Sequence, residues 1–202
     1  EYSINDWIII QDLVTETANI IRRNGGIAHA MVVDVSNEEK VERSADRVKE
    51  EIGDVYMLIN NAGVCPCLPF KSLTPKQIRR TFDVNTLSHF WVNHHILPQT
   101  GQKLIQYSFQ TIKQFLPAME QKKSGHIVAV ASSAGIMGSS YFTAYGASKY
   151  GVIGLMASLD KELYEMEKRQ FIKMTTICPL GVSGTRVDIP TRTRFPRILP
   201  VM

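Results

Sequence analysis

Two side chains with a spacing suited to acid–base chemistry occur in the segment Tyr145-Gly146-Ala147-Ser148-Lys149. Residues four positions apart project from one face of a helix, so Tyr145 and Lys149 are neighbours if this segment is helical. A free tyrosine has a pKa of about 10, and a nearby ammonium favours the phenolate and lowers that pKa. We therefore expect Tyr145 to give a proton to a carbonyl oxygen or to take one from an alcohol.

A serine precedes this pair directly after an apolar segment that is typical of a buried strand. The hydroxyl of Ser132 can hydrogen-bond the same substrate oxygen and hold it against the phenol. Ser133 is the alternative for this role. The spacing to Tyr145 favours Ser132 and leaves Ser133 as a turn residue, whereas the alternation of strand positions does not decide between them.

Strand and helix patterns alternate along the chain, which is typical of a parallel sheet covered by helices. Strands are predicted at 7–10, 28–33, 55–59, 126–131 and 174–178. Helices are predicted from Asp12 to Arg23, from the capping box Ser36-Asn37-Glu38-Glu39 to Gly53, from Thr74-Pro75 past Phe90, over 111–116, and within Tyr141–Met166. Pro98 and Gly101 interrupt the helix that begins at Thr74, so 92–110 is interpreted as an insertion.

Polar and small residues follow two of the predicted strands. Asp34-Val35 ends one strand, and Asn60-Asn61-Ala62-Gly63 ends the next. Open α/β sheets bind ligands at the carboxyl ends of their strands, so both segments are candidates for a binding site. A plain strand-to-turn signal is the alternative for the second segment, and Asn60 is expected to tie neighbouring strands together.

Taken in this order, these motifs resemble those of the short-chain dehydrogenase/reductase family over most of the chain, from about Asp12 to Met202. The remaining matches are Asn85 in Asp83-Val84-Asn85-Thr86, and Cys178-Pro179. Within the family, GHIVAVASSAG, HFW, KMTTICP and RTRFPRILP are similar to the microsomal retinol/retinal dehydrogenases and their 17β-hydroxysteroid relatives. The resemblance implies an α/β fold of the Rossmann type with a doubly wound parallel sheet.

The resemblance also implies roles for individual residues. Tyr145 is the catalytic acid/base, Lys149 lowers its pKa and bonds the nicotinamide ribose, and Ser132 orients the substrate oxygen. Asn85 holds a water in the proton relay through Lys149. The residues implied to contact the cofactor, NAD or NADP with NAD slightly favoured, are Asp34 and Val35 at the adenine, Asn61, Ala62 and Gly63 at the adenosine, and Pro179, Gly181 and Val182 at the nicotinamide.

The chain departs from the family pattern at three places. The glycine-rich turn TGxxxGxG, which cradles the pyrophosphate in the family, does not occur in the sequence. Relatives continue beyond Met202, and the insertion at 92–110 is a third departure. We therefore expect residues 1–202 to form a single partial dinucleotide-binding and catalytic domain with an incomplete sheet, lacking the first strand–helix unit and the C-terminal elements.

Composition excludes several classes of function. The net charge of +4 is mild and the basic residues are scattered, so nucleic-acid binding is not expected. Three cysteines without a CxxC motif argue against a disulfide framework, and no metal site is expected, although Cys65, Cys67, His94 and His95 could be imagined as ligands. No apolar run approaches the roughly 18 residues that span a bilayer, so the chain is expected to be soluble.

Two functions are compatible with the sequence. The first is hydride transfer between a nicotinamide cofactor and a small lipophilic substrate, a retinol/retinal-like or steroid-like alcohol or carbonyl. The second is a non-catalytic truncated isoform or fragment that does not bind cofactor. By resemblance, intact relatives form homodimers through the helices that carry Asn85 and Tyr145, and they are located at the endoplasmic reticulum membrane.

Overall fold

A computed structural model of the protein describes residues 4–90 and 111–180. Six α-helices and three strands lie in these two ranges, together with short 3₁₀ turns and one π-helical turn. The helices are α1 (Ile4–Arg23), α2 (Glu38–Glu51), α3 (Pro75–Phe82), α4 (Ser88–Phe90), α5 (Thr111–Gln121) and α6 (Thr143–Glu165). The strands are β1 (Met57–Asn60), β2 (Gly125–Val130) and β3 (Ile172–Ile177).

The three strands form one parallel sheet in the order β1-β2-β3. Met57 of β1 pairs with His126 of β2, and Gly125 of β2 pairs with Ile172 of β3. Parallel neighbours require crossover connections, and helices supply them here. The predicted α/β class with an incomplete parallel sheet is confirmed, and the three strands lie within a few residues of the segments predicted at 55–59, 126–131 and 174–178.

The core lies between the sheet and two helices. Ile127, Ala129 and Ile172 of the sheet are buried against Val152, Met156 and Leu163 of α6 and against Ile112 and Met119 of α5. Burying apolar side chains of this size stabilises a fold by about 1.5–3 kcal/mol each. This packing fixes α6 against the carboxyl half of β2, which is where Ser132 follows the strand.

The amino ends of α2 and α3 are capped by side chains. Thr74 accepts from the backbone N–H of Gln77, whose side chain reaches back to the Thr74 backbone, so the predicted start at Thr74-Pro75 is confirmed. The capping box predicted from Ser36 is wrong in detail: Asn37 is the N-cap and accepts from Lys40 N at 3.0 Å. The Ser36 hydroxyl is instead turned towards Asp34.

Two predicted strands are not formed. Residues 7–10 lie inside α1, which therefore begins before Asp12 and ends at Arg23 as expected. A short apolar run does not distinguish a buried strand from a helix by its pattern alone.

No strand is assigned at 28–33 either. In a doubly wound sheet with the strand order 3-2-1-4-5-6, the first two strands separate the third strand from the fourth. Residues 28–33 correspond to the third strand in this order, and β1 corresponds to the fourth. This segment accordingly does not pair with β1, and Val32 stays partly exposed.

The helix that begins at Thr74 changes its winding at the predicted site residue Asn85. A π-helical turn spans Asp83–Leu87 between α3 and α4, and such turns often mark functional sites. The predicted insertion at 92–110 lies outside the described residues, and α5 begins directly after it at Thr111. Within the described ranges, no helix is both long enough and apolar enough to cross a membrane.

Candidate active site

The three side chains singled out for chemistry are brought together by β2 and α6. Ser132 follows β2 in extended conformation, and its Oγ accepts a hydrogen bond from the backbone N–H of Ala134 at 3.2 Å, which caps a 3₁₀ turn at Ser133–Gly135. Tyr145 and Lys149 lie one turn apart on α6. Their exposed fractions are 9%, 8% and 2% for Ser132, Tyr145 and Lys149. The site is therefore largely shielded from water.

Tyr145 is held in the form that donates a proton. Burial raises the pKa of its phenol, and a side-chain hydrogen bond with Ser132 opposes that rise. The net effect is a raised pKa, and the lowering by Lys149 that the resemblance implies stays a prediction. A protonated phenol hydrogen-bonded to Ser132 is the arrangement needed to protonate a carbonyl oxygen.

Lys149 carries its charge in a buried position. Its Nζ lies 5.8 Å from the centroid of the Tyr145 ring and donates to the carbonyl oxygen of Val130 at 2.7 Å. Burial lowers the pKa of the ammonium to about 8. Lys149 is therefore mainly charged at neutral pH, and it titrates much closer to neutrality than an exposed lysine does.

Asn85 is fully buried and joins three parts of the site. Its Oδ1 accepts from the backbone N–H of Val64 at 2.7 Å, and its Nδ2 donates to the Val64 carbonyl at 2.9 Å. The same Nδ2 donates to Ser148 Oγ at 3.0 Å, and Ser148 lies next to Lys149 on α6. The Asn85 amide thus fastens the loop after β1 to α6.

Ser133 and Pro179 meet at the carboxyl edge of the sheet. The backbone N–H of Ser133 donates to the Pro179 carbonyl at 2.9 Å, and the Ser133 carbonyl accepts from Ile136 and Met137. Ser133 is thereby a turn residue in this geometry. Of the other residues expected at the nicotinamide, Gly181 and Val182 lie outside the described residues.

Asp34, which is expected at the adenine, lines a large cavity. It has a volume of about 960 Å³, and Asp34, Val64, Arg80 and Thr81 are part of its lining. Burial alone would raise the pKa of Asp34, but hydrogen bonds from Ser36 and the charge of Arg80 outweigh burial and lower that pKa. The Arg80 guanidinium lies 3.4 Å from Asp34 Oδ1. Asp34 is therefore a fixed carboxylate at the rim of the cavity.

The loop after β1 lies beside Asn85 and Lys149. Asn61, Ala62 and Gly63 are exposed, and Val35 is partly buried. A Cβ on Gly63 would stand 3.5 Å from Asn85 Oδ1 and 3.7 Å from Lys149 Nζ. The prediction that Asn60 ties strands together is not supported among the described residues, where its buried Nδ2 has no hydrogen-bond partner.

Two residues at the site were not expected from the sequence. Cys65 and Cys67 pack against a small cluster that contains Tyr145, Phe142 and Ala134. Burial raises the pKa of the Cys65 thiol to about 12, so this side chain is a neutral wall of the site. The aromatic and small residues around them gave no pattern that would have connected these cysteines to Tyr145. No cluster of three or more potential metal ligands occurs within the described ranges, and His94 and His95 lie outside them.

Comparisons with known proteins agree with this geometry. The family model described as short chain dehydrogenase matches residues 8–104 and 105–194. Estradiol 17-beta-dehydrogenase 11 of Homo sapiens is 36% identical over 194 residues, which are 96% of this chain and 58% of that relative. The chain thus spans less than two thirds of the length of this curated relative.

Two solved structures are similar in fold. A short chain dehydrogenase/reductase from Burkholderia phymatum in complex with NAD has a TM-score of 0.71 at 25% identity, covering 85% of this chain and 54% of that one. A metagenomic short-chain oxidoreductase in complex with NADP has a TM-score of 0.68 at 25% identity, covering 84% of this chain and 66% of that one.

Proposed function

The chain belongs to the short-chain dehydrogenase family, and on this premise we propose that it transfers a hydride between a nicotinamide cofactor and a lipophilic alcohol or carbonyl compound. The observation that carries the proposal is the convergence of Ser132, Tyr145 and Lys149, all buried, at the carboxyl end of β2. Ser132 and Tyr145 offer two hydroxyls to one substrate oxygen. Lys149 adds a positive charge next to the phenol ring.

The residues present fit a nicotinamide cofactor in two respects. The cavity of about 960 Å³ beside Asp34 and Val64 is large enough for an adenosine group. The side-chain-free position of Gly63, next to Asn85 and Lys149, leaves space at the sugar side of the catalytic helix. Asp34, Val35, Asn61, Ala62, Gly63 and Lys149 would hold the cofactor, with Pro179, Gly181 and Val182 at its nicotinamide end. The cofactor supplies the hydride acceptor or donor when bound.

The protein's own residues move the proton. In carbonyl reduction, Tyr145 gives its phenolic proton to the substrate oxygen while the Ser132 hydroxyl holds that oxygen in place. In alcohol oxidation the proton moves in the opposite direction, and the Lys149 ammonium stabilises the phenolate that accepts it. Burial of both side chains excludes competing water and strengthens these interactions.

Exposed apolar side chains between Ser132 and Tyr145 in the sequence support a lipophilic substrate. Ile136, Met137 and Tyr141, in the segment between Ser132 and Tyr145, have exposed fractions of 60%, 56% and 41%. Phe142 and Cys65 add apolar surface directly against Tyr145. We propose a retinol/retinal-like or steroid-like substrate, and the name of the human relative supports the steroid class. NAD is slightly favoured over NADP.

Two further proposals come from the resemblance of the motifs. The protein pairs into a homodimer through the helices that carry Asn85 and Tyr145, and it acts at the endoplasmic reticulum membrane. Sedimentation of the purified chain at micromolar concentration tests the first proposal, and a monomer would contradict it.

One observation favours a second candidate, a non-catalytic chain that does not hold cofactor. Residues 28–33 are outside any strand, and Met57 and Ile59 of β1 are exposed by 43% and 56% at the edge of the described sheet. The adenosine end of the site consequently lacks the sheet support that the catalytic end has. Titration of the purified chain with NADH and NADPH distinguishes the candidates: micromolar binding supports the enzyme, and no binding at millimolar concentration supports the alternative.

Turnover tests the chemistry separately. We expect oxidation of retinol or estradiol with NAD, and a loss of about 10²–10⁴-fold in kcat for Tyr145→Phe, because that change removes only the proton carrier. The matched control is Tyr164→Phe on the same helix, where the side chain is 74% exposed. Equal activity of Tyr145→Phe and the wild type would refute the proposed mechanism.

A further inference from the structure

Asp34 is held by one of its two carboxylate oxygens. The backbone N–H of Ser36 donates to Oδ1 at 3.0 Å, and the Ser36 hydroxyl donates to the same atom at 2.7 Å. The two terminal nitrogens of the Arg80 guanidinium each lie 3.4 Å from Oδ1. Within the described ranges, every hydrogen bond of this carboxylate goes to Oδ1. One oxygen is therefore committed to the protein, and Oδ2 is left to accept from a ligand.

The Ser36 hydroxyl is itself oriented by Arg80. The guanidinium donates to Ser36 Oγ. Because an oxygen that accepts this bond turns its own proton elsewhere, the hydroxyl proton is directed to Asp34 Oδ1. Arg80 lies on α3 and is 46 positions away from Asp34 in the sequence. A helix that is distant in the sequence thus supplies the group that fixes the carboxylate after segment 28–33.

The Asp34 carboxylate stays charged in this arrangement. The side chains of Asp34 and Arg80 are 20% and 34% exposed, so water screens their contact only in part. Burial raises the pKa of Asp34, but the hydrogen bonds from Ser36 and the charge of Arg80 outweigh it and hold the pKa below its ordinary value. A charged acceptor forms stronger hydrogen bonds than a neutral one, so Oδ2 is a strong acceptor.

The cavity beside Asp34 restricts the kind of group that Oδ2 can receive. Its lining contains the basic side chains of Lys76, Arg79 and Arg80 and the acidic side chains of Asp34 and Asp83. The basic side chains oppose a metal ion or an ammonium group at Oδ2, and they favour a ligand that carries negative charge. A neutral N–H donor on an anionic ligand meets both conditions. The amino group of an adenine nucleotide is such a donor.

We propose that Arg80 is a positioning residue which, together with Ser36, holds Asp34 by Oδ1 so that Oδ2 accepts a hydrogen bond from the amino group of a bound adenine. The inference rests on the proposed function, in which this adenine belongs to the nicotinamide cofactor. It assigns recognition of the base to a contact between α3 and the segment that follows residues 28–33. Arg80 acts through Asp34 in this arrangement and not on the base itself.

Neutral nucleosides test the inference without the rest of the cofactor. Purine riboside is adenosine without the amino group, and both compounds carry the same ribose. Titrations of the purified chain followed by amide ¹H–¹⁵N NMR measure both dissociation constants. For the wild type we expect adenosine to bind about tenfold more tightly than purine riboside, because the analogue leaves a charged acceptor without its hydrogen bond.

Variants at Arg80 show whether the guanidinium sets this preference. Arg80→Met should reduce the ratio of the two dissociation constants to about threefold or less, since the carboxylate loses part of its orientation. Arg80→Lys keeps a cation with fewer donors and should retain more of the ratio. A purely structural role of Arg80 would weaken both nucleosides equally and leave the ratio unchanged.

Arg79→Met is the matched control. It removes a cation from the lining of the same cavity, and no hydrogen bond or ion pair joins Arg79 to Asp34 in the described structure. The ratio for the two neutral nucleosides should therefore equal that of the wild type.

Turnover with NAD gives a second readout. For Arg80→Met we expect KM for NAD to rise about fivefold with kcat unchanged, because the lost contact stabilises the bound cofactor equally before and during hydride transfer. An unchanged KM would contradict the role of Arg80 in holding Asp34 for the cofactor.

The outcomes separate the inference from the proposed function. If the wild type binds no NADH and shows no turnover but prefers adenosine to purine riboside, the proposed function fails and the role of Arg80 and Asp34 in base recognition stands. Equal affinities, or no binding of either nucleoside at millimolar concentration, overturn the inference whatever the activity. A wild-type ratio in Arg80→Met overturns it as well. If Arg80→Met does not fold, as shown by loss of dispersed amide signals, Ser36→Ala decides: it removes the 2.7 Å bond to Oδ1, and an unchanged ratio overturns the inference.

Discussion

A substitution at Gly135 tests how the 3₁₀ turn at Ser133–Gly135 packs on α6. Gly135 ends the 3₁₀ turn that follows Ser132. A Cβ added at Gly135 would stand 2.8 Å from both the carbonyl carbon and the carbonyl oxygen of Lys149, and 3.0 Å from its Cβ. These are backbone atoms of α6, so no side-chain rotation relieves the contact. Gly135→Ala must therefore push α6 away from the turn.

The magnitude follows from the packing. Inserting a methyl group into a closely packed region costs about 1–3 kcal/mol, so we expect Gly135→Ala to lower the free energy of unfolding by about 2 kcal/mol. Gly154→Ala is the matched control on the same helix, where a Cβ would meet nothing within 4 Å. Replacing a glycine by alanine in a helix interior stabilises by about 1 kcal/mol. The two variants should differ by about 3 kcal/mol.

Urea unfolding followed by circular dichroism measures this difference. With a slope of about 2 kcal/mol/M, the unfolding midpoints of the two variants should lie about 1.5 M apart, with the wild type between them. A midpoint for Gly135→Ala at or above that of the wild type would refute the close contact with Lys149. If Gly154→Ala lost as much stability as Gly135→Ala, the cause would be the helix in general and not the turn.

Two further predictions concern the buried polar groups. Asn85→Ala should lower the free energy of unfolding by about 3 kcal/mol, because it leaves both Val64 backbone groups unpaired. Asn24→Ala, which removes one exposed bond to the Ile20 carbonyl, should cost about 1 kcal/mol. The same urea midpoints decide, and equal losses would contradict the role of Asn85. Lys149 has a folded pKa of about 8 against 10.5 ordinarily, so the unfolded chain binds more protons between these values and stability should rise there by about 3 kcal/mol. Lys149→Met should lack this rise; an identical pH dependence in both proteins would contradict the burial of the charge.

Local signals in the sequence predicted the helices that carry the site. Thr74 and Gln77 form the capping box that their spacing indicates, and Pro75 occupies the first turn. Gly146 has no side chain, and this allows the start of α6 to lie close to the 3₁₀ turn at Ser133–Gly135. The capping box joins residues three positions apart, which is why a single sequence was sufficient to predict it.

The two wrong strand predictions and the contacts that the sequence did not predict share a physical cause. A strand exists only beside another strand, so the apolar run at 28–33 could not be assessed without knowing its neighbour. The apolar run at 7–10 is compatible with the periodicity of a strand and with that of a helix, and it lies in α1. The Asn85 contacts with Val64 and Ser148 join residues 21 and 63 positions apart. Distant contacts of this kind leave no trace in local pattern, and neither did the packing of Cys65 on Tyr145.

The two ends of the site are held by different forces, and this determines how each should respond to damage. Ser132, Tyr145 and Lys149 depend on the register of β2 and on the apolar packing of α6, which involve the main core. Asp34 is held instead by Ser36 and by a partly exposed ion pair with Arg80. Exposed ion pairs contribute about 0–1 kcal/mol. Changes at Asp34 should therefore weaken the proposed cofactor binding while the fold persists, whereas changes beneath α6 should disrupt the fold and the arrangement of Ser132, Tyr145 and Lys149 together.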